Sequence, residues 1–474
     1  MMKSQIRLIF LFSFLMVSSH CQKNELNNHC DPRSDTYSNL FVLKAILGDD
    51  DFRCSDPVEL NRLLSFGFFG ASNGLNKDYN ARISGSTVSV SLPYAIVSSA
   101  KPYFNTFGTG VFFNEELVVS NNTVYDFSTP TKIDVQSIDG SKRTYTLIIN
   151  KLFPVADTGQ ISCWDQAGTN QICSGTGKDG SYTDIPNPNG FMAPSSSELY
   201  PNDFITQNTL TGLVWKTCSE GATGTGCTGN AATLQNWSNS NTLCSNLNGV
   251  NGGMGYAGRK KWRLPTIQEL LSIVNFQNTS PTTNLSFFPQ TIGSGYWSQT
   301  VSNAVPGNNH AINFLNASLG NFPIATNGHA RCVSGDLPPI ENSFSESDSF
   351  TVLDNTTGLI WQKCSAGLSN SDCQLGSATP SLWENAITIC ENLSTSNKKW
   401  RLPNVTELQS LVSYSKAGTP FISNFFPNTQ STQYWTSTSN QSNAVNAFLT
   451  YFNTGDMSNL PKANTRPVRC VTND

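Results

Sequence analysis

Histidine is scarce: there are four in 474 residues, and one of them, His20, lies in a leader-like N-terminus. Only His29, His310 and His329 are left to build a Ser-His-Asp, Cys-His or histidine-rich zinc site, and residues 349–474 have none. Charge is sparse too, at 13% of residues, with 29 basic against 33 acidic side chains and a net charge of −4. That balance excludes, as a default, a polybasic binder of nucleic acid or of anionic membrane. Beyond the N-terminus no stretch approaches the ~18 uninterrupted apolar residues that a spanning helix needs. What the chain does have is 38% apolar and 11% aromatic residues, enough for several buried cores, in a length that suits about three folding units.

Lys3 and Arg7 precede an apolar run from Leu8 to Val17, and Ser18, Ser19 and His20 follow it. This charged, apolar, polar order over residues 1–20 is that of a secretory signal, so export is expected. Cysteines number thirteen, an odd count. Cys21 stands directly behind the apolar run, and its surroundings resemble the signal of a bacterial lipoprotein of the spirochaetal type, whose cysteine is acylated. Acyl chains on Cys21 would hold the chain to the outer membrane or cell surface without a spanning helix. The alternative is a plainly cleaved signal with Cys21 left as a free or intermolecular thiol. Removing Cys21 leaves twelve cysteines, an even set that an oxidising compartment can pair completely.

Two segments repeat one another. Thr211, Gly212, Leu213, Val214, Trp215 and Cys218 recur 146 positions later as Thr357, Gly358, Leu359, Ile360, Trp361 and Cys364, and Cys227, Trp237 and Cys244 recur as Cys373, Trp383 and Cys390. From Lys261 the offset falls to 138. It pairs the Trp-Arg-Leu-Pro of 262–265 with that of 400–403, Glu269 with Glu407, Phe287-Phe288-Pro289 with Phe425-Phe426-Pro427, Tyr296-Trp297 with Tyr434-Trp435, and Arg331-Cys332-Val333 with Arg469-Cys470-Val471. One loop insertion around Asn251 to Gly258 accounts for the change. Two copies of one module are therefore expected, at 203–334 and 349–474.

Within each copy the first two cysteines bracket a short Gly/Ser/Thr-rich loop, so Cys218–Cys227 and Cys364–Cys373 are expected as local bridges. That leaves Cys244 with Cys332 and Cys390 with Cys470, each tying an early element to the last strand. Metal binding by these cysteines is disfavoured, since no CxxC pair and no neighbouring histidine is present. Trp383, Ala386, Ile387, Cys390 and Leu393 mark one face of a helix. A second helix is expected after each Trp-Arg-Leu-Pro. Thr266 with Glu269, and Asn404 with Glu407, have the spacing of a capping box, and Ile267, Leu270, Leu271 and Val274 supply a buried stripe. Short aromatic and β-branched runs between turn residues then read as an antiparallel sheet.

This series of motifs resembles the Lcl C-terminal domain, the terminal part of a bacterial collagen-like adhesin. The resemblance covers a little over half of the chain, twice over, and implies α+β modules of C-type-lectin-like fold; the adhesin's collagen-like tract is absent. The Arg-Leu-Pro-x-x-x-Glu segment is also similar to formylglycine-generating enzymes. Ahead of the modules, Thr87 to Leu92, Gly110 to Phe113, Lys132 to Val135 and Arg143 to Ile149 read as strands, with Asp139-Gly140 as a hairpin turn, and 65–151 resembles an Ig-like β-sandwich. Residues 21–64 form a lipid-anchor tether whose Cys30 and Cys54 bracket a short helix at Asn39 to Leu47. Residues 152–202, rich in Gly, Ser, Pro and Asn, read as a linker pinned by Cys163 with Cys173. The expected fold is thus multidomain, an all-β Ig-like sandwich followed by two α+β lectin-like modules.

No catalytic residue, metal site or cofactor is expected. Helix capping accounts for Glu269 and Glu407, and formylglycine-type oxidation needs unpaired thiols that full pairing removes. The oxygen-ligand motifs of calcium-dependent lectins are missing, with Tyr-Trp-Ser-Gln and Tyr-Trp-Thr-Ser in their place. Arg259, Lys260, Lys261, Lys398 and Lys399 are the candidates for an anion contact, whereas Arg263 and Arg401 lie inside the core motif. Trp215, Trp361, Trp297 and Trp435 read as core. The copies differ most at Asn251 to Gly258 and between Thr300–Asn313 and Thr438–Ala447, loops suited to binding. The expectation is a lipid-anchored, adhesin-like surface protein that binds a host or matrix protein or a glycan, with no nucleic-acid partner. An envelope structural protein and a formylglycine-generating-type enzyme are the alternatives.

Overall fold

The computed structural model of the chain describes residues 61–75, 77–339 and 341–473. The leader, Cys21 and the segment carrying Cys30 and Cys54 lie outside the described residues. None of the described helices is long and apolar enough to cross a membrane.

The N-terminal region is built of strands with a single turn of α-helix at Gly70–Asn73, and the chain divides there into two compact units. One unit holds residues 105–118 and 133–144. In it Gly110–Phe113 pairs antiparallel with residues 133–136, burying Val111, Phe113, Ile133 and Val135, and the Gly140 N–H closes the expected turn on Ser137 O at 3.1 Å. The other unit holds residues 65–104, 119–132 and 145–474. There Thr87–Pro93 runs parallel to residues 146–152, and alternation sends Val88, Val90 and Leu92 inward.

Both repeats lie in this second unit. The first runs β1 (Tyr200–Gln207), β2 (Val214–Lys216), α1 (Trp237–Asn246), β3 (Trp262–Arg263), α2 (Ile267–Leu271), β4 (Gly295–Val301), β5 (Asn308–Asn313), β6 (Ser318–Pro323) and β7 (Val333–Ser334). The second runs β8 (Thr351–Asp354), β9 (Ile360–Gln362), α3 (Trp383–Glu391), α4 (Val405–Ser410), β10 (Gln433–Ser439), β11 (Asn446–Tyr451), β12 (Met457–Pro461) and β13 (Val471–Thr472). Trp383, Ala386, Ile387 and Cys390 of α3 are all buried, the face that the periodicity predicts. The helices after each Trp-Arg-Leu-Pro carry complete capping boxes, Thr266 with Glu269 and Asn404 with Glu407. Trp215, Trp297, Trp361 and Trp435 are core residues.

The modules are not separate frames. β6 and β12 pair antiparallel at Leu319 and Met457, so β4-β5-β6 continues into β12-β11-β10 as one six-stranded sheet. The cores merge as well. Phe276 of the first module meets Phe448 of the second edge to face, with ring centroids 5.0 Å apart, and Val405, Phe448 and Met457 belong to the first module's cluster.

Residues 152–202 depart from the expected linker. Asp157, Thr158, Gln160, Lys178 and Asp179 are buried. Their polarity reads as solvated in the sequence, yet all but Asp157 find a partner on a module. Thr158 O accepts from the Phe276 N–H at 2.9 Å, Gln277 Nε2 donates to Ser162 Oγ at 3.1 Å, Lys178 pairs with Glu384 at 3.3 Å, and Lys462 Nζ donates to Asp165 O at 3.0 Å. Polar groups satisfied in this way can be buried at little cost.

Candidate functional site

All ten cysteines of the described residues are in disulfides: Cys163–Cys173, Cys218–Cys227, Cys244–Cys332, Cys364–Cys373 and Cys390–Cys470. Within the modules the local bridges are those that the short loops predict and the long ones are those left by elimination. Glu220 lies beside Cys244 and Cys332 at ligand-like spacing, but the two sulfurs are bonded to one another and neither is a thiolate that could take a metal.

The shared carboxylates are held by arginine. Arg263 grips Glu269 with two N–H···O contacts of 2.7 Å, and Arg401 grips Glu407 with two of 2.5 Å. Each carboxylate also accepts the backbone N–H of its helix cap, from Thr266 at 2.7 Å and from Asn404 at 2.9 Å. The arginines of the terminal Arg-Cys-Val motifs are buried, and among the described residues neither makes a salt bridge. Arg331 donates to Thr291 Oγ1, and Arg469 to Thr429 Oγ1, each at 2.7 Å.

His310 is buried where the modules meet, and burial pushes its imidazole down to about 4. Its Nδ1 is 3.6 Å from Asp456 Oδ1, beyond hydrogen-bond reach, and among the described residues no hydroxyl or thiol is hydrogen-bonded to the ring. His329 Nδ1 lies 3.1 Å from Thr233 O.

Of the candidate anion contacts, Arg259, Lys260, Lys261 and Lys399 are exposed and Lys398 is half-buried. Lys261 pairs with Asp336, and Lys260 donates to Asn248 O at 2.6 Å and to Gly253 O, bracing the inserted loop. Asp203 holds the same loop from beneath, accepting from Asn251 Nδ2 at 2.7 Å and the Ala257 N–H at 2.8 Å.

A cleft of about 530 Å³ opens beside the first module, at the start of α2 and the end of β4. Thr266, Gln268, Ser272, Gln299, Thr300 and Val301 form its first-module side, Thr406 and residues 410–415 its second-module side, with Phe153, Val155, Leu337 and Pro338 as apolar walls. None of the anion candidates lines it. Asp157, Glu269, Asp336 and Glu341 bring four carboxyls to the lining, which holds no Lys, Arg or His. Three of these acids are engaged: Glu269 by Arg263, Asp336 by Tyr94 and Lys261, and Glu341 by Ser413 and Ser415. Asp157 differs. Its Oδ2 accepts the Asp184 N–H at 3.2 Å, while its buried Oδ1 has no hydrogen-bond partner among the described residues. Burial, reinforced by the neighbouring Asp179, pushes this carboxyl up to about 8.

No sequence motif marks this cleft, because segments distant in sequence make its walls. One trace was present: the rim at Thr300 falls where the two copies begin to diverge. Residues 204–334 and 350–472 each match the family described as the Lcl C-terminal domain. No curated protein matches the chain.

Proposed function

Since this chain belongs to the Lcl C-terminal domain family, whose domain it carries twice, we propose that it is a non-catalytic binding protein of a bacterial surface. In this reading the modules are C-type-lectin-like, residues 65–151 are an Ig-like spacer, and acylated Cys21 anchors the exported chain at the outer membrane or cell surface. The ligand is a host or matrix protein or a glycan.

One observation carries the preference for binding over chemistry. The residues that would serve a formylglycine-type or acid–base reaction are committed to structure: the described cysteines to disulfides, and Glu269 and Glu407 to bidentate arginines and helix caps. A fused double module with polar loops is suited to holding a partner, and the fold alone does not supply an activity.

The test is an array of glycans and matrix proteins probed with the mature chain at two salt concentrations, together with protease shaving of intact cells. Retention on the array and loss of the protein on shaving are expected. Salt-sensitive retention would point to Arg259, Lys260, Lys261, Lys398 and Lys399, and salt-insensitive retention to the uncharged surfaces. No retention, together with protection from protease, would replace this reading by an envelope structural role.

A further inference from the structure

In the second module the start of α4 and the end of β10 are covered by this chain itself. Thr406 Oγ1 donates to the Ala156 carbonyl at 2.7 Å. Gln160 embraces the Ser439 backbone, donating Nε2 to its carbonyl at 2.7 Å and accepting its N–H at 3.0 Å. Thr438 donates to Asp179 at 2.6 Å. The covering segment, residues 153–162, runs without helix or strand. Beneath it Thr406, Thr438 and Ser439 are 6%, 0% and 1% exposed.

The repeat places the same face on the first module, where among the described residues nothing equivalent covers it. Gln268 stands in the place of Thr406 and is exposed; Val301 stands in the place of Ser439 and is 54% exposed. The underlying frame is the same. Thr300 Oγ1 accepts the Ile267 N–H at 3.0 Å, as Thr438 Oγ1 accepts that of Val405 at 3.0 Å. Thr438 passes its hydroxyl hydrogen on to Asp179, whereas the hydrogen of Thr300 has no acceptor among the described residues. This open face is the first-module side of the cleft.

The chemistry around it narrows the occupant. Thr300 lines the cleft and offers its hydroxyl hydrogen as a donor. On the counterpart face the occupant is backbone, with Ala156 O on Thr406, so the matching occupant is an elongated peptide whose carbonyl accepts from Thr300 while its side chains reach Phe153, Val155 and Leu337. With no Lys, Arg or His in the lining to recognise it, an anionic ligand, sulfated glycans included, is disfavoured. We propose that the cleft is a docking groove for an elongated, neutral or basic polypeptide segment of another protein, seated on the first module as residues 156–160 are seated on the second. The inference rests on the reading of the chain as a binding protein and narrows the ligand to polypeptide.

A library of displayed random peptides panned on the full mature protein tests it, with Val301→Arg and Gln268→Arg at the rim and Leu285→Arg, exposed and outside the lining, as control. Circular dichroism melts check that all three variants fold. Enrichment of neutral or basic peptides is expected, with binding at least about tenfold weaker on either rim variant, unchanged on the control, and accompanied by slower hydrogen exchange at residues 266–272. No enrichment, enrichment of acidic peptides, or peptides indifferent to both rim variants would overturn the groove. The same proteins on the glycan and matrix array separate the two readings: retention there without peptide enrichment removes the groove and keeps the binding protein, and no retention or enrichment on any surface removes both.

Discussion

Leu319 and Met457 face one another across a single antiparallel register, and through that pair the hairpins of the two modules become one sheet. Both side chains are buried, at 2% and 0% exposure, in a cluster that also holds Phe276 and Phe448. A shared core of this kind couples the stability of its two halves.

Phe448→Ala is therefore expected to weaken both modules, although Phe448 belongs to the second. Truncating a buried phenylalanine costs about 3–5 kcal/mol through lost burial and the cavity left behind. Hydrogen exchange read by mass spectrometry should show α2 and α4 losing protection together. Loss confined to α4 would mean that the modules fold independently.

Arg401 and Glu407 make the second expectation. Glu407 is fully buried, so Arg401→Ala leaves a carboxylate with only its helix-cap N–H and should cost on the order of 3–5 kcal/mol. The pair Arg401→Met with Glu407→Gln removes the stranded charge and keeps a capping side chain at the third helical position. It should lower the urea midpoint less than Arg401→Ala alone. An equal or larger loss in the double variant would show that the ion pair, rather than its unmatched remnant, sets the stability.

Asp157 and Asp179 set a pH dependence. Burial raises both carboxyls, to about 8 and about 6, above their ordinary value of 3.8. The folded state then holds protons that the unfolded chain has released, so this contribution to stability is fully present below about pH 4 and is lost as pH rises towards 8. Asp157→Asn should raise Tm at pH 8, leave it unchanged at pH 4, and flatten the slope between. A Tm that falls equally at both pH values would show that Asp157 is needed as a carboxylate.

The local features of this fold are legible in the sequence, and of the long-range ones the Cys244–Cys332 and Cys390–Cys470 bridges, reached by elimination, but not the contact between the modules. Thr266 with Glu269, and Asn404 with Glu407, announce their helices because a capping box is satisfied within four residues. The loop between Cys218 and Cys227 likewise dictates its bridge. Pairing of Leu319 with Met457 has no such signature, since an edge strand that meets another module reads like one that meets solvent. Gln160 and Asp179 read as parts of a linker because polarity does not say whether its partner is water or Ser439 and Thr438. For the same reason the open face at Gln268 and Val301 became visible only beside its covered counterpart.

The most direct test concerns the sulfur atoms, because a binding protein without chemistry requires them to be consumed. Unreduced mature protein, denatured in the presence of an alkylating agent and mapped by peptide mass spectrometry, should yield Cys244 joined to Cys332 and Cys390 joined to Cys470, with no alkylated cysteine between residues 163 and 470. An alkylated thiol in that span, or either pair found with another partner, would contradict the proposed function and reopen an oxidase reading.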